Sequence, residues 1–424
     1  MKIVNVGIIG VGVVGKSVIT LIGNNNHSIS ARMGVNINVK RIVVRNLSNF
    51  NLNTNAIVST DINDIIYDDT IDIVVELIND MDMSYNIANM VLSNDKILVT
   101  ANKAMLANNI SSLVSIMKNK VHAYMSFEAS VAGGVPIINA IRNGLSANNI
   151  LGIRGILNGT CNYILTKMNV ENISFDECLK EAQNLGYAES NPMLDISGMD
   201  SAYKLIILSF IVYGIVVKPS DILVEGIHDI NQDDMRFASE FGYIIKLLAI
   251  IKRISNKIEF RVHPTMIKKS EMLSNVSGVM NGISVIGDSV GETIYCGAGA
   301  GGDATASAVV SDIINIARDS KARIVGLENE SKLELMDKGS IESKYYIRVK
   351  VVDQIGVMVK IASILSANNI SIEVLLQKDI EGSALLLLST HKSLESNIKK
   401  AVEDLWMLDV VYDKPCIIRI EDSY

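Results

Sequence analysis

The sequence is poor in the residues that build metal and disulfide chemistry. Its 424 residues hold four cysteines, at 161, 178, 296 and 416, and no two of them make a C-x-x-C pair. That spacing argues against a zinc knuckle or a thioredoxin-type motif, and such usage fits a reducing, cytoplasmic compartment. Five histidines form no HExxH or HxH cluster, so no His-based metal site is expected. Basic residues are in the minority, with 39 Lys and Arg against 46 Asp and Glu for a net charge of −7. This balance argues against a protein dominated by nucleic-acid contacts. No apolar run is long enough to span a membrane. The longest, LIILSFIVYGIVV from Leu205 to Val217, contains Ser209, Tyr213 and Gly214 and reads as a buried helix. The N-terminal MKIVNVGIIGVGVVG lacks an extended basic region and is interrupted by glycines, so it reads as a strand and turn, not a signal peptide.

Hydrophobic residues make up 49% of the chain and charged residues 20%, the composition of a folded protein. At roughly 100–200 residues per domain, two or three domains are expected, with cores that need no staple. Strand patterns at 4–9, about 39–45, 71–78, 96–100 and 121–127 alternate with helical ones, as in Ser84 to Ser93. That alternation predicts a doubly wound parallel sheet. From about 128 to 300 the pattern mixes Gly-containing strands, including 258–264 and 282–287, with long helices. Ser174 and Glu177 have capping-box spacing, starting a helix that runs to about Leu185. Thr305 to Arg318 again has helical periodicity. The charged and polar stretch 321–344 reads as a linker. After it a βαββαβ run predicts a small ferredoxin-like domain.

Gly10-Val11-Gly12-Val13-Val14-Gly15 follows the first strand and fits G-x-G-x-x-G. The three glycines permit the tight turn, the approach of a pyrophosphate and close helix packing, and the helix N-terminus favours phosphate. Gly10, Gly12, Val13, Val14 and Gly15 are therefore candidate cofactor contacts. The second strand ends in Arg45-Asn46, with no acid for a ribose hydroxyl. Arg45 can pair with a 2′-phosphate, which favours NADP, although Lys40 and Arg41 also qualify and NAD stays open. Thr100-Ala101-Asn102-Lys103 closes the fourth strand, where ligands gather in such sheets. Residues 183–205, QNLGYAESNPMLDISGMDSAYKL, set Glu189, Asp195 and Asp200 around Lys204. Asp200 and Lys204 share one helix face, at the edge of an apolar run. Partial desolvation there suits a proton donor, and an ordinary helix salt bridge fits the same spacing.

At this point the chain closely resembles the homoserine dehydrogenases. VVELI, TANKAMLA, EASVAGGVPII, ILNGTCNYIL, LGYAESNPMLDISGMDSAYKL, VHPTMI and GAGAGGDATASAVVSDI all look like family blocks in family order. The tail resembles an ACT domain with Asp353-Gln354-Ile355-Gly356 as its loop, and the chain looks like the monofunctional form, without an aspartokinase portion. The resemblance implies a Rossmann-type sheet in residues 1–130, completed by about 303–320. It also implies an α+β substrate and dimerisation domain over 131–302, the linker at 321–344 and an ACT regulatory domain over 345–424. The reaction it implies is the reversible NAD(P)H-dependent reduction of L-aspartate 4-semialdehyde to L-homoserine, a step of threonine and methionine biosynthesis.

Residue roles follow by the same likeness. Lys204 matches the proton donor. Lys103 matches a lysine at the nicotinamide end that orients the carbonyl, shares the proton transfer, or both. Glu189 and Asp200 match acids that bind the amino acid, with Asp195 beside them. Gly159 and Thr160 match a loop touching substrate and cofactor, and Gly186 and Gly301 match glycines near the cofactor. Thr100 is expected at the cofactor too. A monovalent cation, in the family usually sodium, is implied at Glu128, Val131, Gly133 and Val135, a set of oxygen ligands suited to a hard ion. A homodimer or homotetramer and an L-threonine effector at the tail complete the expectation, with no membrane partner. Two departures stand out: Asn79-Asp80 where the family commonly has glycines, and Ala298 in place of a proline. The rival readings are a different amino-acid dehydrogenase, which leaves the lysine-and-acid segment unexplained, and a regulatory nucleotide binder, favoured only by Asn79-Asp80.

Overall fold

A computed structural model describes residues 2–318, 333–380 and 382–422. They fall into two compact units, Met1–Asn149 with Tyr203–Lys218 and Tyr295–Ser331, and Ile150–Ala202 with Pro219–Ile294 and Lys332–Tyr424.

The first unit is built on six strands, β1 (Lys2–Ile9), β2 (Val35–Val43), β3 (Ile57–Ser59), β4 (Ile73–Glu76), β5 (Ile97–Thr100) and β6 (Tyr124–Ser126). All pair in parallel in the order β3-β2-β1-β4-β5-β6. The chain reverses its direction of winding between β1 and β4, which makes the ends of those strands the ligand crevice of such a sheet. Val4, Val6, Ile8, Ile73, Val75 and Val99 fill its core with Val18 and Ile22 of helix α1 (Val13–Met33). Helices α2 (Asn63–Ile66), α3 (Met81–Ser93) and α4 (Lys103–Met117) complete the crossovers. The second strand begins four residues before the expected Val39 and ends at Val43. The asparagines before it extend α1, and Asn26 bonds the backbone of Ile37 from both ends of its amide. A helix side chain thus stands in for a strand neighbour, which polarity alone does not reveal.

The second unit is a mixed sheet. Its strands are β7 (Ile150–Ile156), β8 (Leu223–Val224), β9 (Tyr243–Ile254), β10 (Lys257–Lys268), β11 (Met280–Gly287), β12 (Gly291–Ala298), β13 (Glu334–Leu335), β14 (Glu342–Val352), β15 (Ile372–Ile380), β16 (Ser383–Thr390), β17 (Ser393–Leu394) and β18 (Cys416–Ile420). The main order is β12-β11-β7-β9-β10-β18-β14-β16-β15. The tail keeps its βαββαβ order, with helices Val357–Ala367 and Glu395–Trp406 closing a core of Tyr345, Ile347, Val349, Ile361, Leu386 and Leu405. Its last strand also pairs in parallel with β10, Thr265 opposite Arg419, so one sheet runs through the whole unit. Of the linker expected at 321–344, residues 321–332 lie outside the described residues. Glu334 and Leu335 pair with β10, and β14 starts at Glu342, before the expected Tyr345, because Glu342 and Ser343 pair with β17.

The apolar run after Lys204 lies in the helix Met199–Tyr213, where Leu205, Ile206, Ile207, Leu208 and Ile211 are fully buried. Among the described residues no helix is long and apolar enough to cross a membrane.

Candidate active site

The glycine turn after β1 divides its work as the fingerprint predicts. Gly10 sits at φ +95°, and a Cβ there would lie 2.9 Å from the Leu77 carbonyl oxygen. A Cβ on Gly15 would approach the Gly10 carbonyl oxygen to 2.3 Å. Only glycine lets α1 pack this close to the turn. Gly12, the N-cap of α1, has open space around it and no side-chain cap, and no acid stands in the first turn. Those open N–H groups and that uncompensated dipole end are what a pyrophosphate requires, so the turn fits a dinucleotide. Val13 is three-quarters exposed, and Val14 follows it in the first helical turn. Gly301, at φ +113°, precedes the helix Gly302–Arg318, whose first residue packs against Val13 and Ser17. Of the three cations near the second strand, Lys40 and Arg41 both pair with Asp68, at 3.6 and 2.7 Å. The hydrogen bond from the Thr70 hydroxyl, followed by that from Arg41, holds the Asp68 carboxyl well below the usual carboxylate range. Arg45 is exposed beyond the strand end.

The ends of β4 and β5 are joined by Glu76, a residue the sequence reading passed over. Its fully buried carboxylate accepts from the Ile78 N–H at 2.6 Å, Ser84 Oγ at 2.6 Å and Thr100 Oγ1 at 2.8 Å. Burial pushes its pKa up. Thr100, expected at the cofactor, therefore spends its hydroxyl inside the sheet and supports the turn. Asp80, the departure from the family glycines, is the N-cap of α3 and accepts from the Met83 N–H at 2.8 Å. Its charge serves a helix start. Asn102 caps α4 and also donates to the Ile78 carbonyl at 3.1 Å. Lys103 is the first residue of that helix and half-buried, a position where the dipole disfavours a cation.

In the second unit, Asn158 gathers the acids. It caps the helix Gly159–Glu171, accepting from the Cys161 N–H at 2.8 Å. Its amide nitrogen donates to Asp195 Oδ1 at 2.7 Å and to Asp200 Oδ2 at 2.9 Å. One neutral amide thus fixes two carboxylates side by side, Asp200 being 2% exposed. Asn158 escaped the sequence reading, although an Asn before Gly-Thr is an N-cap signal. A Cβ on Gly159 would meet the Val279 carbonyl oxygen at 2.7 Å. Thr160 donates to the Tyr187 carbonyl at 2.6 Å, tying its turn to the loop that holds Gly186 at φ +75°. Glu189 lies further along that loop, exposed, its backbone carbonyl accepting from Gln183. Asp200 and Lys204 occupy the helix Met199–Tyr213 one turn apart, and Lys204 is buried.

The predicted cation segment is irregular backbone in the first unit. Ala132 and Gly133 adopt φ +55° and +50°, and a Cβ on Gly133 would meet the Gly299 carbonyl oxygen at 2.7 Å. The Glu128 carboxylate is not turned outward. It accepts from the Ile138 and Asn139 N–H groups at 2.9 and 2.7 Å, capping the helical stretch that follows. Burial and the nearby Asp312 push it up to about 8. That leaves only its backbone carbonyl for the expected ligand set, and this carbonyl and that of Val135 also accept from the Val131 and Ile137 N–H groups, at 3.4 and 2.8 Å. The side chain is a support.

The family model described as "Homoserine dehydrogenase, NAD binding domain" matches residues 10–126, and that described as "Homoserine dehydrogenase" matches residues 136–314. A Helicobacter pylori homoserine dehydrogenase is 49% identical over 423 residues, 99% of this chain and 100% of that one. The chain belongs to the homoserine dehydrogenase family. The homoserine dehydrogenase of Pseudomonas aeruginosa is 39% identical over 99% of each chain. A crystal structure of the family from Thiobacillus denitrificans superposes with a TM-score of 0.93 at 40% identity, covering 100% of this chain and 99% of that one. A hyperthermophilic archaeal homoserine dehydrogenase in complex with NADPH reaches 0.63 at 26% identity, over 76% of this chain and all of its own. The parallel sheet is thus the family's NAD(P)-binding part, and the chain is an NAD(P)-dependent oxidoreductase interconverting L-aspartate 4-semialdehyde and L-homoserine.

Proposed function

We propose that Lys204 is the proton donor of this reaction and that Asp200, with Asp195 and Glu189, receives the amino acid's ammonium. The observation that carries this reading is the carboxylate pair held by Asn158, on the helix start that leads to Lys204. Two adjacent acids bonded to a neutral amide attract a cationic group, and a substrate ammonium is charge-complementary to them. When bound, the nicotinamide supplies the hydride in the reductive direction. As the aldehyde oxygen gains charge, the Lys204 ammonium delivers a proton to it, so one hydride and one proton complete the alcohol. Lys103 orients the carbonyl or shares that proton. Gly10, Gly12 and Gly15 hold the pyrophosphate, Gly159 and Thr160 touch substrate and cofactor, and Gly186 and Gly301 serve the cofactor. Arg45 receives a 2′-phosphate, because Lys40 and Arg41 are already paired with Asp68, and this makes NADP the preferred cofactor.

The backbone carbonyls of Glu128, Val131, Gly133 and Val135 bind a monovalent cation, sodium being the expected one. The tail's βαββαβ order supports an ACT module that senses L-threonine in a dimer or tetramer. Unchanged rates across millimolar threonine would overturn that sensing role. The assay for the whole reading is NADP reduction by L-homoserine, repeated with NAD and with Lys204→Ala. The wild type turns over, and the variant loses about 100-fold to 10,000-fold in kcat while still binding cofactor. A variant with wild-type kcat refutes the lysine's role.

A further inference from the structure

A buried charge cluster under β18 has no part in the roles above. Arg419 is fully buried and points one edge of its guanidinium at Glu225, with bonds of 2.6 and 2.8 Å to the two carboxylate oxygens. Its Nε and Nη2, the latter shared with Glu225, hold the fully buried Glu395 at the start of the helix Glu395–Trp406, and Glu395 also accepts from the Tyr345 hydroxyl at 2.8 Å. A two-bond fork of this kind fixes both the position and the plane of its carboxylate.

Glu225 begins the stretch that backs the substrate acids. Its N–H donates to the Val262 carbonyl of β10 at 2.8 Å, and the Ile227 N–H donates to the Ile196 carbonyl at 3.0 Å. Between them, a Cβ on Gly226 would lie 2.2 Å from the Ile196 carbonyl oxygen and 2.9 Å from Ser197 Cα. Gly198, at φ +86°, would set its own Cβ 3.2 Å from the Glu225 carbonyl oxygen. The two segments are in backbone contact, with no side chain to absorb a shift. Ile196, Ser197 and Gly198 are three of the four residues between Asp195 and Asp200.

We infer that Arg419 and Glu225 are positioning residues for the substrate, by which the tail strand holds the turn that sets Asp195 and Asp200. The inference rests on those acids being the amino-acid site. The fork on the Glu225 carboxylate restrains Glu225–Ile227, whose backbone lies against the Ile196–Gly198 turn. The tail therefore contributes to binding of the amino acid even when no effector is present.

The test uses the full chain and four variants: Glu225→Gln, Arg419→Lys, their double mutant and Asp200→Asn. For each, KM for L-homoserine, KM for NADP, kcat and melting temperature are measured. Glu225→Gln and Arg419→Lys are each expected to raise KM for L-homoserine about threefold to thirtyfold, with KM for NADP unchanged. The double mutant is expected to be no worse than the worse single, because both break one link. Arg419→Lys disturbs a fully buried site. If it does not fold, Glu225→Gln decides alone, since that side chain is 31% exposed. A folded Glu225→Gln with wild-type KM for L-homoserine overturns the inference when Asp200→Asn raises that KM. An Asp200→Asn enzyme with wild-type KM overturns the amino-acid site itself, and the inference with it. Equal rises in both KM values together with a lower melting temperature also overturn it, because general loosening then suffices.

Discussion

Adding one methyl group at Gly12 or at Gly15 separates the needs of the cofactor from the needs of the fold. At Gly12 the backbone sits at φ −77°, open to any residue, and a Cβ meets nothing within 4 Å. Gly12→Ala gains about 0.4–1 kcal/mol through the unfolded chain, and an alanine N-cap gives back about as much. The melting temperature should stay close to that of the wild type. The methyl then stands where a pyrophosphate must approach, and overpacking of that kind costs about 1–3 kcal/mol. At about 1.4 kcal/mol per decade, KM for NADP should rise about fivefold to a hundredfold. At Gly15 the same methyl would lie 2.3 Å from the Gly10 carbonyl oxygen, so about 1–3 kcal/mol falls on the fold instead. Thermal melts and initial rates followed by the absorbance of the reduced nicotinamide read both effects. A Gly12→Ala enzyme with unchanged KM for NADP, or a Gly15→Ala enzyme that melts with the wild type, refutes the reasoning.

Arg45→Ala should raise KM for NADP about tenfold to a hundredfold, the worth of a charged hydrogen bond, and leave KM for NAD alone. Equal changes for both cofactors would exclude it from the 2′-phosphate. Lys246 is buried against Asn162 Oδ1 and the Val276 carbonyl, at 3.1 and 2.6 Å, and burial pushes its amine down to about 8. The unfolded chain therefore binds this proton more tightly, and folding carries a penalty of roughly 3 kcal/mol below pH 8. That penalty fades as pH rises from 8 toward the ordinary lysine value. Lys246→Met removes the pH dependence together with two hydrogen bonds. Denaturant unfolding at several pH values should show the wild type gaining on the variant between pH 8 and 10, and parallel curves would contradict the assignment.

Much of the first unit is legible in the chain. The apolar strands at 4–9, 71–78 and 96–100, the glycine turn and the helices between them carry period and punctuation that act within a few residues. The Ser174–Glu177 capping box forms as its spacing predicts. The second strand runs from Val35 to Val43, not from 39 to 45, because Asn26 of α1 bonds the backbone of Ile37. Polar residues on β10 were harder still. Glu259, Arg261, His263 and Thr265 alternate with apolar ones along β10, and all four are buried. Arg261 pairs with Glu259 at 2.7 Å and with Glu421 at 3.0 Å, and burial, with the charges of Arg419 and Arg261, pushes the His263 imidazole well below its ordinary value.

The chain by itself determined the parallel sheet, the dinucleotide turn, the family and the lysine-and-acid segment, because each is written in contiguous residues. Tertiary structure alone decided what those residues do with their polar atoms. Thr100 turns to Glu76, 24 residues away, and Asn158 holds Asp200 across 42. Arg419 reaches Glu225 across 194. A buried donor must find an acceptor wherever the fold brings one. Spacing along a strand or helix carries no information about a partner that far along the chain.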